Sequence, residues 1–178
     1  ISEYYYMKRA GKEYDKRGAM EMSFGMIFSI ILIIFFLSFA FFGIKTFLGI
    51  QDTAKTTKFL SDFKSDVEQV WKSPQASQEK EYSLPSGKDK VCFFDFSSSK
   101  SGVDAGIYDE LRRAYYGKEN MVFYPVNFEG VESIQVKYID LGKITASENP
   151  FCIDNVKGKV KLRLTKDFAD ALVTITRA

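Results

Sequence analysis

The side chains able to do chemistry in this chain are few, and their spacing does not assemble a reaction centre. No histidine is present. That removes the commonest general base and the commonest transition-metal ligand, and with them imidazole-based triads and zinc sites. Asp95, Asp104, Asp109 and Glu110 are the candidate carboxylates. None falls in the DxDxDG spacing of a calcium loop, so scattered surface charge is the better reading. Ser97 to Gly102, SSSKSG, brings serines beside Lys100. A Ser/Lys dyad needs those two types together, but a solvated loop of small residues accounts for them more simply. Arg112 and Arg113 read as the wet face of a helix. Tyr115, Tyr116, Phe123, Tyr124 and Phe128 have the character of a sugar- or partner-binding surface, and equally of core and edge packing. No catalytic residue, cofactor site or metal site is assigned, and the expectation is a protein that is not an enzyme.

Cys92 (in VCFFDF) and Cys152 (in PFCID) both sit in strand-like apolar contexts, with no CxxC pattern to suggest redox or zinc chemistry. Two readings follow, a disulfide or two buried thiols acting as small hydrophobes. The choice depends on the side of the membrane on which they lie. A disulfide here closes a loop of about 60 residues, which stabilises by about 4 kcal/mol in the chain-entropy view.

The element that decides the side runs from Met22 to Ile44 without a charge. As a helix it is about 34 Å long, against a hydrocarbon core of about 30 Å. It is apolar all the way round, and one isolated segment in lipid satisfies its backbone only as a helix. Lys8, Arg9, Lys12, Lys16 and Arg17 precede it, whereas Lys45, Lys55 and Lys58 follow within a comparable distance. That bias puts the N-terminus inside and the remainder outside, and so favours a Cys92–Cys152 disulfide. The formal net charge is only +2, too weak a field to imply a nucleic-acid partner.

Beyond the span, Phe47, Leu48, Ile50, Phe59, Phe63, Val67, Val70 and Trp71 recur at helical spacing between charged residues. This predicts one helix from about Glu21 to Lys72, with Gly43 and Gly49 as places for a bend and Pro74 as its stop. Strands are predicted at Lys90 to Phe96, Met121 to Val126, Ser133 to Leu141, Lys159 to Thr165 and Ala171 to Thr176, with a turn at Val156 to Lys159. A short helix, Asp104 to Tyr116, turns Ile107, Leu111, Ala114 and Tyr115 to one side and ends at Gly117. The fold class is therefore α+β, a long N-terminal helix followed by a β-rich head with one short helix. In segments, 1–21 is a basic flank, 22–44 the span, 45–73 an amphipathic extension, 74–89 a polar linker and 90–178 the β-rich domain. The chain begins at Ile1, so either it is a fragment or translation starts at Met7.

The junction before the span is the most specific signal. Lys16-Arg17-Gly18-Ala19-Met20 places a basic pair and a glycine directly ahead of the apolar helix. An ordinary secretory signal puts its small-residue cleavage site after the apolar region. The inverted order resembles the class III signal of archaeal type IV pilin-like proteins and archaellins. The resemblance covers Lys16 to about Gln51 and none of the head. It implies cleavage after Gly18 by a prepilin-type peptidase, with Ala19 as the mature N-terminus. Bacterial pilins carry a glutamate at the fifth mature position; here Glu21 is third, and a carboxylate stabilised by the helix macrodipole is its plainer role. Gly25 and Ser29 form a small-xxx-small pair that permits close helix approach.

The expected function is a non-catalytic pilin-like membrane protein, a subunit or minor component of a surface filament or envelope complex. Its partners would be the membrane, and its own copies or other pilin-like subunits through the N-terminal helix. The second expectation is an uncleaved single-pass anchor that presents the same domain outside for binding or adhesion.

Overall fold

Helix α1 runs from Phe24 to Lys72, 49 residues, in the computed structural model, which describes residues 24–115, 117–126 and 133–178. The expectations placed on Lys16, Arg17, Gly18, Ala19, Glu21, Tyr116 and Phe128 lie outside the described residues. Gly43 and Gly49 both lie within the helical run, with open space around each. The helix stops at Ser73, whose Oγ donates to Gln69 O at 3.0 Å, because Pro74 disfavours helical backbone in the residue before it.

The chain divides into two compact units, Ile1–Lys45 and Thr46–Ala178. Described residues of the first, 24–45, are helical and exposed throughout. The second is an α+β domain. Its share of α1 buries Phe59, Leu60, Phe63, Val67 and Val70, a stripe at the three- and four-residue spacing of one helix face. The opposite face carries Lys58–Asp62 and Lys72–Glu68 ion pairs at 2.7 and 2.6 Å.

Among the described residues, seven strands and two short helices follow: β1 (Ala76–Ser83), β2 (Lys90–Phe93), α2 (Ala105–Ala114), β3 (Met121–Tyr124), β4 (Ser133–Ile134), α3 (Leu141–Ile144), β5 (Phe151–Asp154), β6 (Lys159–Lys166) and β7 (Thr174–Arg177). They form two antiparallel sheets, one in the order β1-β6-β7 and one in the order β4-β3-β2-β5. Side chains alternate between faces along each strand. Val160, Leu162 and Leu164 of β6 thus join Val91 and Phe93 of β2 and Met121 and Phe123 of β3 in one large core with the α1 stripe. Cys92, Val122 and Cys152 point the other way, into a smaller core completed by Phe94 and by Leu111 of α2.

The head has a second short helix, α3, where only one was expected, and β5 lies outside the expected strands; two further segments also differ from their sequence reading. Residues 74–89, read as a polar linker, contain β1, which pairs with β6 along its whole length from Ala76↔Lys166 to Ser83↔Lys159. Its polar side chains are accommodated individually. Glu79 and Glu81 lie opposite Arg163 and Lys161 and pair with them at 3.4 and 3.3 Å. Lys80 Nζ and Tyr82 Oη, from the other face, both donate to the Asp66 carboxylate of α1, at 2.9 and 2.6 Å. Ser133 to Leu141, read as one strand, pairs with β3 only through β4. Beyond it the Asn120 side chain takes the place of a strand neighbour: its Oδ1 accepts from Val136 N at 2.7 Å and its Nδ2 donates to Val136 O at 2.9 Å. The backbone then turns through Tyr138, at φ 66, into α3.

Phe63 is fully buried, and its ring lies 5.9 Å from Phe93 and 5.8 Å from Tyr82. Phe63→Ala is expected to lower the head's unfolding free energy by about 3–5 kcal/mol. Denaturant unfolding of the detergent-solubilised chain measures this, and a change below about 1 kcal/mol contradicts the packing described.

Candidate functional site

Among the described residues, α1 is the one helix long and apolar enough to cross a membrane, and its apolar window is unburied. Phe28, Phe36 and Phe41 are 52, 62 and 73 % exposed, as are their apolar neighbours. An exposed apolar surface of this extent is foreign to a water-facing domain and marks contact with lipid or with another apolar surface. Its polar groups are satisfied within the helix. Ser29 Oγ donates to Gly25 O at 2.7 Å and Ser38 Oγ to Ile34 O at 2.8 Å. Gly25 and Ser29 therefore share a face, and the serine proton is bonded to its own backbone rather than held out to a neighbour.

Cys92 and Cys152 stand directly opposite on β2 and β5 and are joined in a disulfide, with sulfurs 2.07 Å and Cα atoms 4.0 Å apart. Both are buried beneath α2.

The remaining sequence candidates are separated and internally engaged. Asp95 accepts from Ser97 N at 2.8 Å, Ser97 Oγ at 2.6 Å and Ser98 Oγ at 3.0 Å. Burial raises its pKa, and these bonds outweigh burial, leaving it below the ordinary value. Lys100 pairs with Asp109, so its ammonium is held by a carboxylate and no Ser/Lys dyad forms. Asp104 and Asp154 both pair with Lys90, at 2.7 and 3.3 Å. Glu110 accepts from Tyr124 Oη at 3.2 Å. Arg113 Nε donates to Asp109 O at 3.2 Å, and Arg112 lies on the exposed side of α2. Phe123 belongs to the core, its ring 4.9 Å from Phe59, and Tyr115 stacks on Phe94 at 6.3 Å. No group of three or more metal-ligating side chains occurs among the described residues.

Two residues with structural consequence escaped the sequence reading. Buried Asn149 holds the serine loop: its Oδ1 accepts from Asp95 N at 3.1 Å and its Nδ2 donates to Asp95 O, Ser98 O and Ser99 O at 2.8, 3.3 and 3.3 Å. Arg177 of β7 ties the two sheets together. Its Nε and Nη2 donate to Cys152 O of β5 at 3.2 and 2.9 Å, its guanidinium lies 4.5 Å from the centre of the Phe151 ring, and it pairs with Glu148. An Asn-Pro dipeptide and a lone arginine just past an expected strand carry little sequence signal for such roles.

No protein-family model, curated protein or solved structure matches this chain.

Two outcomes are expected. Replacing Cys92 and Cys152 together by alanine should lower stability by up to about 4 kcal/mol, read by denaturant unfolding under non-reducing conditions; unchanged stability contradicts a formed bond in the folded protein. Arg177→Ala should cost about 2 kcal/mol near neutral pH, from lost bonds to a carbonyl and a lost cation–π contact. The Arg177 hydrogen bond holds Glu148 below the ordinary glutamate value of 4.5, against the opposing effect of burial. A depressed carboxylate stabilises the fold above its unfolded pKa and ceases to as pH falls through the folded one. The gap between wild type and Arg177→Ala should therefore be widest above about pH 4.5 and narrow below it, in unfolding curves taken at neutral and acidic pH.

Proposed function

We propose that this chain is a non-catalytic, pilin-like membrane protein whose α1 holds it in the bilayer and later packs with neighbouring helices in a filament core or envelope complex. The observation that carries the reading is the division of labour along α1. Up to Ile50 its large apolar side chains are exposed on every side, and from Phe59 on a single stripe is buried in a β-rich head. A water-facing domain has no use for the first part. A subunit that must leave lipid for a bundle of like helices exchanges one apolar surrounding for another at little cost, because lipid tails and packed side chains are similarly apolar.

The basic flank ahead of the span favours an N-terminus in the cytoplasm and a head outside. The buried Cys92–Cys152 disulfide favours the same side, since such bonds persist in oxidising surroundings. Prepilin-type peptidase would remove the leader after Gly18, exposing Ala19. A second reading, the uncleaved single-pass anchor displaying the same head, is favoured by one specific observation. Ser29 and Ser38 bond back to their own helix, so the span is self-sufficient in lipid without neighbours.

Intact-mass analysis of the protein purified from its native membrane separates the two. The pilin-like reading expects a chain beginning at Ala19, and a Gly18→Val variant that retains its leader. A wild-type chain still carrying residues before Ala19 rejects it in favour of the anchor.

A further inference from the structure

Tyr138 sits at φ 66, in the left-handed region, where a bulky side chain is an outlier. Such a backbone is costly and persists only where its surroundings hold it. Here they do. Tyr138 O accepts from Val173 N at 2.8 Å, and Asp140 N donates to Val173 O at 2.8 Å, so the chain on both sides of the residue is tied to the segment before β7. The side chain is tied as well. Its ring stacks on Trp71 of α1 at 3.9 Å and 15°, and Trp71 Nε1 donates to Ala171 O at 3.2 Å. The indole covers one face of the Tyr138 ring, yet the residue is 37 % exposed. A strained tyrosine thus presents its second face as a fixed aromatic plate instead of burying it.

The plate is one wall of a cleft of about 280 Å³, whose other lining residues are Lys64 and Glu68 of α1 and Gln135, Val136 and Lys137 beyond β4. Val136 is buried in the large core and bonded to Asn120, while Gln135 and Lys137 on either side of it are exposed. Lys64 and Glu68 are one turn apart on α1, which puts them on the same side of the helix. Glu68 is bonded to Lys72 at 2.6 Å. Lys64, Lys137 and the Gln135 amide have no side-chain partner among the described residues. With Lys72 included, three ammonium groups therefore stand against the one carboxylate of the lining. The carboxylates next along these segments are engaged elsewhere, Asp62 with Lys58, Asp66 with Lys80 and Tyr82, and Asp140 with Lys143 N.

We propose that this cleft binds a saccharide that carries a carboxylate, such as a uronate unit of an acidic glycan, with the sugar ring laid on the open face of Tyr138. A pyranose has a face of C–H bonds that packs on an aromatic ring, and a rim of hydroxyls that both donate and accept. The lining answers each part. Gln135 both donates and accepts, Glu68 accepts, and Lys64 and Lys137 donate. The two unpartnered ammonium groups supply the charge that meets the ligand's carboxylate. The volume is at the small end for ligand sites and suits about one or two sugar rings rather than a peptide segment. A plate already fixed in place costs no ordering on binding, which gives the strained backbone of Tyr138 a use. Every residue of the cleft belongs to the second unit, so the site holds whether the leader is removed or kept.

The test uses the full chain in micelles of an alkylamine oxide, a detergent without a sugar headgroup. Trp71 is the single tryptophan and lies against the far side of Tyr138, so its fluorescence reports occupancy of the plate. Titration with tetragalacturonate is expected to give a saturable change that weakens as salt is raised. Lys64→Gln and Lys137→Gln alter exposed side chains and should leave Tm unchanged. Each should weaken binding by about two- to fivefold, the worth of one exposed ion pair, and neutral maltotetraose should bind about tenfold more weakly. Tyr138→Asn suits the left-handed backbone and should abolish binding, read by saturation-transfer NMR of the sugar because the variant also uncovers the fluorophore. Should Tyr138→Asn lose the fold, the two lysine variants carry the test alone. Absence of a saturable response to tetragalacturonate overturns the proposal. So does maltotetraose bound as tightly, which removes the role of charge, or adenosine monophosphate bound as tightly, which gives the plate to a nucleobase. An affinity unchanged in both lysine variants places the sugar elsewhere and overturns it too.

Discussion

Burial of the Phe59, Phe63, Val67 and Val70 stripe is the interaction on which the head depends, because both sheets turn a face towards it. Removing a side chain of that size from water is worth about 1.5–3 kcal/mol, and the stripe supplies several in register. The three-stranded sheet contributes Val160, Leu162 and Leu164, and the four-stranded sheet Val91, Phe93, Met121 and Phe123, to the same cluster. Among the described residues, neither sheet has another apolar layer of comparable size to cover that face. The second half of α1 is thus part of the head's core, while its first half leaves every described side chain exposed.

The four-stranded sheet carries a second constraint, since it is buried on both faces. Along β2 the pattern places Val91 and Phe93 in the large core and Cys92 in the small one. A strand buried on both sides reads as a continuous apolar run, and VCFF does so. The disulfide then joins β2 to β5 from the α2 side, while Arg177 reaches Cys152 O from β7. Covalent bond and guanidinium meet at one residue of an edge strand. Both act to keep β5 on its sheet, where a free row of backbone acceptors would otherwise invite foreign pairing.

What was legible in the sequence follows from how each element gains its stability. The long helix could be read because its apolar residues repeat at a period that only a helix satisfies, and β6 because KVKLRL alternates over one wet face. Helix α2 was legible from Leu111 and Gly117, although the structure buries Tyr108 beside Leu111 and leaves Ile107 half-buried. β1 was not legible. ASQEKEYS has almost no apolar content, and its strand exists because β6 offers eight partners in register and Asp66 receives Lys80 and Tyr82. That information lies in residues far along the chain. The early end of β4 was hidden for the same reason, since Asn120, a loop residue, supplies the hydrogen bonds a neighbouring strand would have made. Tertiary partners override local pattern wherever a segment's own burial is small.

Among the described residues the polar chemistry of the head is spent on holding the fold. Asp95 orders the serine loop, Asn149 closes it, Lys100 meets Asp109, Lys90 bridges Asp104 and Asp154, and Asp66 takes both Lys80 and Tyr82. Burial, and then the bond to Asp66, push the Tyr82 hydroxyl far above its ordinary pKa, so it stays a neutral donor rather than a base. A site that performs acid–base work needs groups poised to change protonation near the working pH and open to a substrate. The shifts here run the other way: carboxylates such as Asp52, Asp95 and Glu148 are driven lower and the ammonium of Lys90 higher, each deeper into its charged form. Such groups are fixed charges. Fixed charge, a disulfide and a double-faced sheet hold the head together, and among the described residues the longest exposed apolar run is the first part of α1.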